Sequence, residues 1–341
     1  MLLYDRLDKI CPMNAILVEN LRKCFLTPLP SEGSFLQKMK NTLRPRYQTI
    51  MAVNDISFQV KAGERVAFIG PNGAGKSTTI KILTGIMQST SGRVKVLGSD
   101  PAADRKCLAY QIGAVFGQRS QLWYHLPVQE TLTLLAAIYD IPKSEYQQRL
   151  KILAEKFNVT SLLTKPVRQL SLGERMRCEI IASFLHKPAV LFLDEPTIGL
   201  DITAKAIIRD LILKQSEQEG VTLLLTSHDT DDIEKVCDRV IIIDQGQLLL
   251  DNSLHNLKTQ YIKKRVLSIV TEEERIICKL PGILVLEQSP HHLKIEIDIA
   301  QHAVESVVAD LLENYTLRDL TIEGPPLEAI IQMLYANGKN K

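Results

Sequence analysis

RVAFIGPNGAGKSTTIKILTGI, Arg65 to Ile86, joins a short apolar run to a helical pattern through a glycine-rich loop. RVAFI reads as a strand and TTIKILTGI as a helix. Between them lie Gly70, Pro71, Asn72, Gly73, Ala74, Gly75, Lys76, Ser77 and Thr78, in the spacing G-x-x-x-x-G-K-[ST]. Glycines at 70, 73 and 75 let successive backbone N–H groups turn inward, where a Cβ would crowd an anion. Lys76 is placed to reach terminal phosphates, and Ser77 to offer its hydroxyl to Mg2+.

Outward from this loop the chain alternates apolar runs with helical patterns, which predicts an α/β fold with a largely parallel sheet. AVLFLDEPT (189–197), VTLLLTSHD (221–229) and RVIIIDQG (239–246) hold strands that are apolar throughout, as strands buried on both faces are. Helical stretches cover Glu145–Phe157 and Ala204–Gln218. Asp194 falls at the carboxyl end of a buried strand, where ligands bind in open α/β sheets. It is placed to hold Mg2+ through its hydration shell, and Glu195 to orient and deprotonate an attacking water. His228 ends another strand and can hydrogen-bond a γ-phosphate. GAVFGQRSQ (113–121) supplies Gln118, a neutral amide suited to Mg2+ or water. LSLGERMRCE (170–179) has Ser171 and Glu174 at capping-box spacing, so it reads equally as a well-capped helix start or as an anion site.

The bulk numbers narrow the class. The 341 residues are 45% hydrophobic and carry a net charge of +2, enough for two globular domains and no global basic field for nucleic acid. The six cysteines are scattered with no CxxC pair, so they read as reduced thiols. No apolar run approaches the ~20 residues that span a bilayer. Asp5 and Asp8 interrupt the N-terminus, which does not read as a secretion signal, and a cytoplasmic protein is expected. Residues 26–48 hold three prolines and a basic amphipathic stretch (Phe35, Leu36, Met39 and Leu43 beside Lys38, Lys40, Arg44 and Arg46), read as an insertion between two strands. Beyond about residue 262 the alternation RVLSIV, GILVLEQS, HHLKIEIDI and LRDLTIE predicts a small α+β domain.

Taken in order, GPNGAGKST, FGQ, LSLGE, LFLDEPTIGLD and TSHD resemble the nucleotide-binding subunit of ABC transporters. The resemblance implies a P-loop NTPase (ABC ATPase) domain with antiparallel β and α-helical subdomains, plus the small α+β C-terminal domain. It divides the chain into an extension (1–13), an ATP-binding domain (14–255, with the 26–48 insertion and a helical subdomain at about 118–185), and a linker with the C-terminal domain (256–341). It implies ATP and Mg2+ as ligands, the metal held by Ser77, Gln118 and Asp194. Glu195 would be the catalytic base, His228 the switch histidine and Asp201 the D-loop aspartate. Ser171, Gly173 and Glu174 would meet the ATP held by an opposite subunit. Leu172 stands where the family has a glycine, and Glu174 adds a negative charge near that phosphate. An aromatic before the P-loop stacks on adenine in the family; Phe25 fits its local pattern and Tyr47 its distance.

VFGQRSQLWYHLPVQETL, RQLSLGERMR, EPTIGLD and PPLEAIIQMLY resemble the ATPase of ABC-2 type export systems. That implies a homodimer or heterodimer of ATPase subunits on a separate integral membrane permease, at the cytoplasmic face of the inner (plasma) membrane, with no nucleic-acid partner. The loop Gln121–His125, holding the lone Trp123, is expected to dock the permease. The alternative, a soluble ABC ATPase acting on ribosomes or in nucleic-acid repair, would carry a second cassette or long insertions. A P-loop kinase would leave LSLGE and TSHD unexplained.

Overall fold

The computed structural model describes residues 14–28, 47–117, 119–261, 264–274, 283–299, 301, 303–324 and 327–338. The expected extension at 1–13, the amphipathic stretch within 26–48 and Gln118 lie outside the described residues. The chain forms two compact units that divide between Asp251 and Asn252.

In the first unit, β1 (Asn14–Pro28) and β2 (Tyr47–Lys61) make a long antiparallel hairpin. Next come β3 (Arg65–Ile69), α1 (Lys76–Leu83) and β4 (Ser91–Val96), which pairs antiparallel with β1. The hairpin is longer than the sequence suggests. Pro28 pairs with Tyr47, so the ladder takes up both ends of the segment read as an insertion. Pro28 is compatible with this because it sits at the strand's last residue, where a missing N–H costs little.

α2 (Arg105–Ala109) and β5 (Ile112–Phe116) lead into helices α3 (Val128–Ile138), α4 (Lys143–Lys156) and α5 (Leu172–Phe184). Then β6 (Val190–Asp194), α6 (Ile202–Glu219), β7 (Thr222–Thr226), α7 (Thr230–Val236), β8 (Arg239–Asp244) and β9 (Gln247–Ser253) complete a six-stranded sheet. Its order is β5-β6-β7-β3-β8-β9, and the pairs β5–β6, β6–β7, β7–β3 and β3–β8 are parallel. All five residues of β7 are buried, as a strand covered on both faces requires. One continuous core joins the antiparallel hairpin (Ile16, Ile56, Phe58) to the parallel sheet (Phe68, Phe192, Leu224) and α1 (Ile80, Leu83). Each such side chain contributes about 1.5–3 kcal/mol by leaving water.

The second unit holds α8 (Leu254–Tyr261), β10 (Lys264–Thr271), β11 (Leu284–Ser289), β12 (His292–Asp298), α9 (Val304–Asn314), β13 (Leu317–Glu323) and α10 (Leu327–Gly338). The sheet is antiparallel in the order β11-β12-β10-β13. HLKIEID alternates as half-buried strands do, and Leu293, Ile295 and Ile297 join Val307 and Leu311 of α9 in a core of their own.

Candidate nucleotide site

Strand order brings the site together. β6, β7 and β3 are neighbours, Asp194 pairs with Thr226, and Phe116 of β5 pairs with Asp194 on the other side. Their carboxyl ends therefore present the Gly70–Thr78 loop, Asp194–Glu195, Thr226–His228 and Gly117 along one edge.

The loop leaving β3 turns into α1 at Gly75, whose φ is 103°. A Cβ there would come within 2.4 Å of the Ala52 carbonyl oxygen of β2, so only glycine fits. Lys76 is 6% exposed. Its Nζ donates to the Gly70 and Pro71 carbonyls at 2.6 and 3.1 Å, closing the loop around its own cation. Burial pushes the Lys76 ammonium down from its ordinary value, while the Glu195 and Asp194 carboxylates pull it back up. A cation held this way suits a polyphosphate, which supplies the negative charge its carbonyl partners lack.

Ser77 Oγ lies 3.5 Å from Asp194 Oδ1. Two hard oxygen donors this close fit Mg2+, which is bound by few carboxylates and completed by water and phosphate oxygens. Thr226 Oγ1 donates to the same Asp194 oxygen at 2.6 Å and accepts the Glu195 N–H at 3.1 Å. Thr226 was not singled out from the sequence, although it stands inside the TSHD motif. Glu195 holds φ at 55°, a strained region for a residue with a Cβ. This turn brings its Oε1 within 2.9 Å of His228 Nε2. A carboxylate only accepts, so Nε2 carries the proton in this hydrogen bond. Gly117, the residue before Gln118, packs against the same turn: its N–H donates to Asp194 O at 2.8 Å, and a Cβ on it would meet Glu195 O at 2.2 Å.

The LSLGE segment is built elsewhere on the chain. Ser171 is the N-cap of α5 and forms both halves of the capping box: its N–H donates to Glu174 Oε2 at 2.8 Å, and its Oγ accepts from the Glu174 N–H at 3.3 Å. The backbone N–H of Ser171 holds the Glu174 carboxyl below the usual carboxylate range. The segment rests on the start of α6. A Cβ on Gly173 would lie 3.4 Å from Ala204 Cβ, and one on Gly199 would lie 3.2 Å from Leu172 Cδ2. Leu172 thus fills space over Gly199, two residues before Asp201, which N-caps α6 by accepting from the Ala204 N–H at 2.8 Å.

Phe25 and Tyr47 differ in distance from the loop. Phe25 pairs with Ile50, two residues from Ala52, whereas Tyr47 lies five residues away, about 17 Å along the strand. Beyond Gly117, Trp123 and Tyr124 are 42% and 57% exposed, while Leu122 between them and the body is buried.

The ABC transporter family profile matches residues 53–198. The linearmycin resistance ATP-binding protein LnrL of Bacillus subtilis is 30% identical over 84% of this chain and 94% of its own length. The chain belongs to the ABC transporter ATP-binding proteins. The daunorubicin resistance ATP-binding protein DrrA3 of Streptomyces coeruleorubidus is 28% identical, covering 84% of this chain and 91% of its own. Among solved structures, cbiO1 from Clostridium perfringens, part of the ABC transporter complex cbiONQ, superposes with a TM-score of 0.59 at 27% identity over 72% of this chain and 91% of its own. This ABC ATP-binding protein is therefore an ATPase, the energy-coupling subunit of an exporter of the ABC-2 type rather than an ABC ATPase of ribosomes or repair. Subunits of the family bind ATP, dimerise and work with a membrane permease. No described helix is long and apolar enough to cross a membrane.

Proposed function

We propose that this subunit pairs with a second ATPase subunit, another copy of itself or a related chain, enclosing two ATP molecules at the interface. Each nucleotide then lies between Gly70–Thr78 of one subunit and Ser171, Gly173 and Glu174 of the other. The observation behind this is a division of donors within one chain. Lys76, Asp194, Glu195 and His228 gather at the strand ends, while Ser171, held by Glu174 and Arg175, stands apart on an exposed helix N-terminus. A helix start with free amides attracts an anion.

In this arrangement the backbone amides of Gly70, Pro71, Asn72, Gly73, Ala74 and Gly75 and the Lys76 ammonium hold the β- and γ-phosphates, beside Thr78. Ser77, Asp194 and Gln118 hold Mg2+, which when bound offsets phosphate charge. Glu195 takes the proton of the attacking water, and His228 orients Glu195 and contacts the γ-phosphate. Phe25 stacks on adenine, favoured over Tyr47 by its place on the ladder. Asp201 stands at the subunit interface. The Gln121–His125 loop, with Trp123, Tyr124 and His125 exposed, docks the permease, which holds the subunit at the cytoplasmic face of the inner (plasma) membrane.

Light scattering of Glu195→Gln with saturating Mg-ATP tests the pairing. A stable dimer supports pairing with another copy of itself, and a monomer of 38.3 kDa would exclude that homodimer.

A further inference from the structure

Beneath the Glu195–His228 contact lies a buried polar cluster that no nucleotide role uses. Asp232, on the first turn of α7, is 1% exposed, and Thr197, Arg209 and Ser227 are 4–5% exposed. Arg209 Nε of α6 donates to Asp232 Oδ1, and Thr197 Oγ1 donates to Asp232 Oδ2. Ser227 Oγ donates to that same Oδ2 at 2.6 Å. Around this centre, Arg209 Nη2 reaches Asp229 Oδ2 at 3.0 Å, and Lys205 Nζ meets the same oxygen at 2.7 Å.

The places of these residues in the chain matter more than the bonds alone. Thr197 follows Glu195 by two residues, Ser227 immediately precedes His228, and Arg209 sits on the helix that Asp201 caps. One carboxylate thus ties the Glu195 turn, the His228 turn and α6 together. Stability alone does not account for it: well-packed apolar residues of similar volume often hold such elements as well as a buried ion pair, or better. What three converging hydrogen bonds add is a fixed geometry.

We propose that Asp232, clamped by Arg209, is a positioning residue that sets the Glu195–His228 contact and links it to α6. The proposal rests on the roles given above to Glu195 and His228. The test uses the full chain with histidine imidazoles labelled with 15N. His228 is identified by the signal lost in His228→Ala, and Glu195→Gln serves as the control for breaking the pair. Asp232→Asn and Thr197→Val should both shift the His228 ring signal and lower kcat about tenfold or more, with KM for ATP unchanged within about twofold. Thr197→Val deletes a single donated bond and keeps the ion pair, so it decides the matter where Asp232→Asn does not fold. Combined with His228→Ala, it should cost no further kcat, because both act through one contact. If Glu195→Gln moves the His228 signal while Thr197→Val leaves signal and kcat unchanged, or if the losses simply add, the clamp is overturned. If Glu195→Gln leaves the signal in place, the Glu195–His228 pairing itself fails, and the clamp with it.

Discussion

Glu195 reaches His228 only through the φ of 55° that the paired Thr226 bonds hold in place. Glu195→Gln keeps the size of the side chain and the phosphate and metal ligands, and removes the base. Its turnover should fall about a hundred- to ten-thousandfold with ATP binding intact; parent turnover would remove Glu195 from that role. The principal residues of this edge were legible because each marks the end of a buried strand or occupies a fixed spacing. Lys76, Asp194 and His228 needed no contact map. Thr226, Thr197 and Asp232 were not legible, since their importance lies in bonds that cross 31 to 35 residues of chain: Glu195 to Thr226 and Thr197 to Asp232. Phe25 lies between the two cases, as the ladder that ranks it above Tyr47 runs into both ends of the segment read as an insertion.

The helix α5 shows how one element can serve two ends. Its capping box was readable from Ser171 and Glu174, but the contact of Leu172 over Gly199 was not, because it depends on how α5 meets the turn before α6. Glu174 contributes to that cap in a pH-dependent way. Its folded value is held below the ordinary 4.5, chiefly by the Ser171 N–H, so its contribution is complete above the unfolded value and disappears as pH falls through the lowered one. Thermal melts of Glu174→Ala against the parent should therefore differ at pH 7 and converge once the pH has fallen through the lowered value of Glu174. A gap that stays constant would show that the carboxylate is not what caps the helix. The loop after β5 is tested differently. With Trp123 42% exposed, Trp123→Ala should cost no more than about 1–2 kcal/mol of stability, against about 3–5 for a core tryptophan. It should retain ATP binding and weaken pull-down of the permease; early unfolding would instead make Trp123 a core residue.

At the scale of the molecule, the two-unit division and both kinds of sheet followed from the change between continuous and alternating apolar runs. The boundary differs slightly: the sequence places it after residue 255, whereas the units divide between Asp251 and Asn252, so α8 lies whole in the second unit, where α10 packs on it. The central claim concerns two chains at once, that Ser171 serves a nucleotide its own Lys76 does not hold. It is tested most directly by measuring ATP affinity and hydrolysis for Ser171→Arg and Lys76→Ala, separately and mixed. Ser171→Arg should bind ATP with parent affinity and hydrolyse none, Lys76→Ala should lose affinity, and the mixture should regain activity from the one intact site of each mixed dimer. Full hydrolysis by Ser171→Arg alone would contradict the account and leave LSLGE as a helix cap and nothing more.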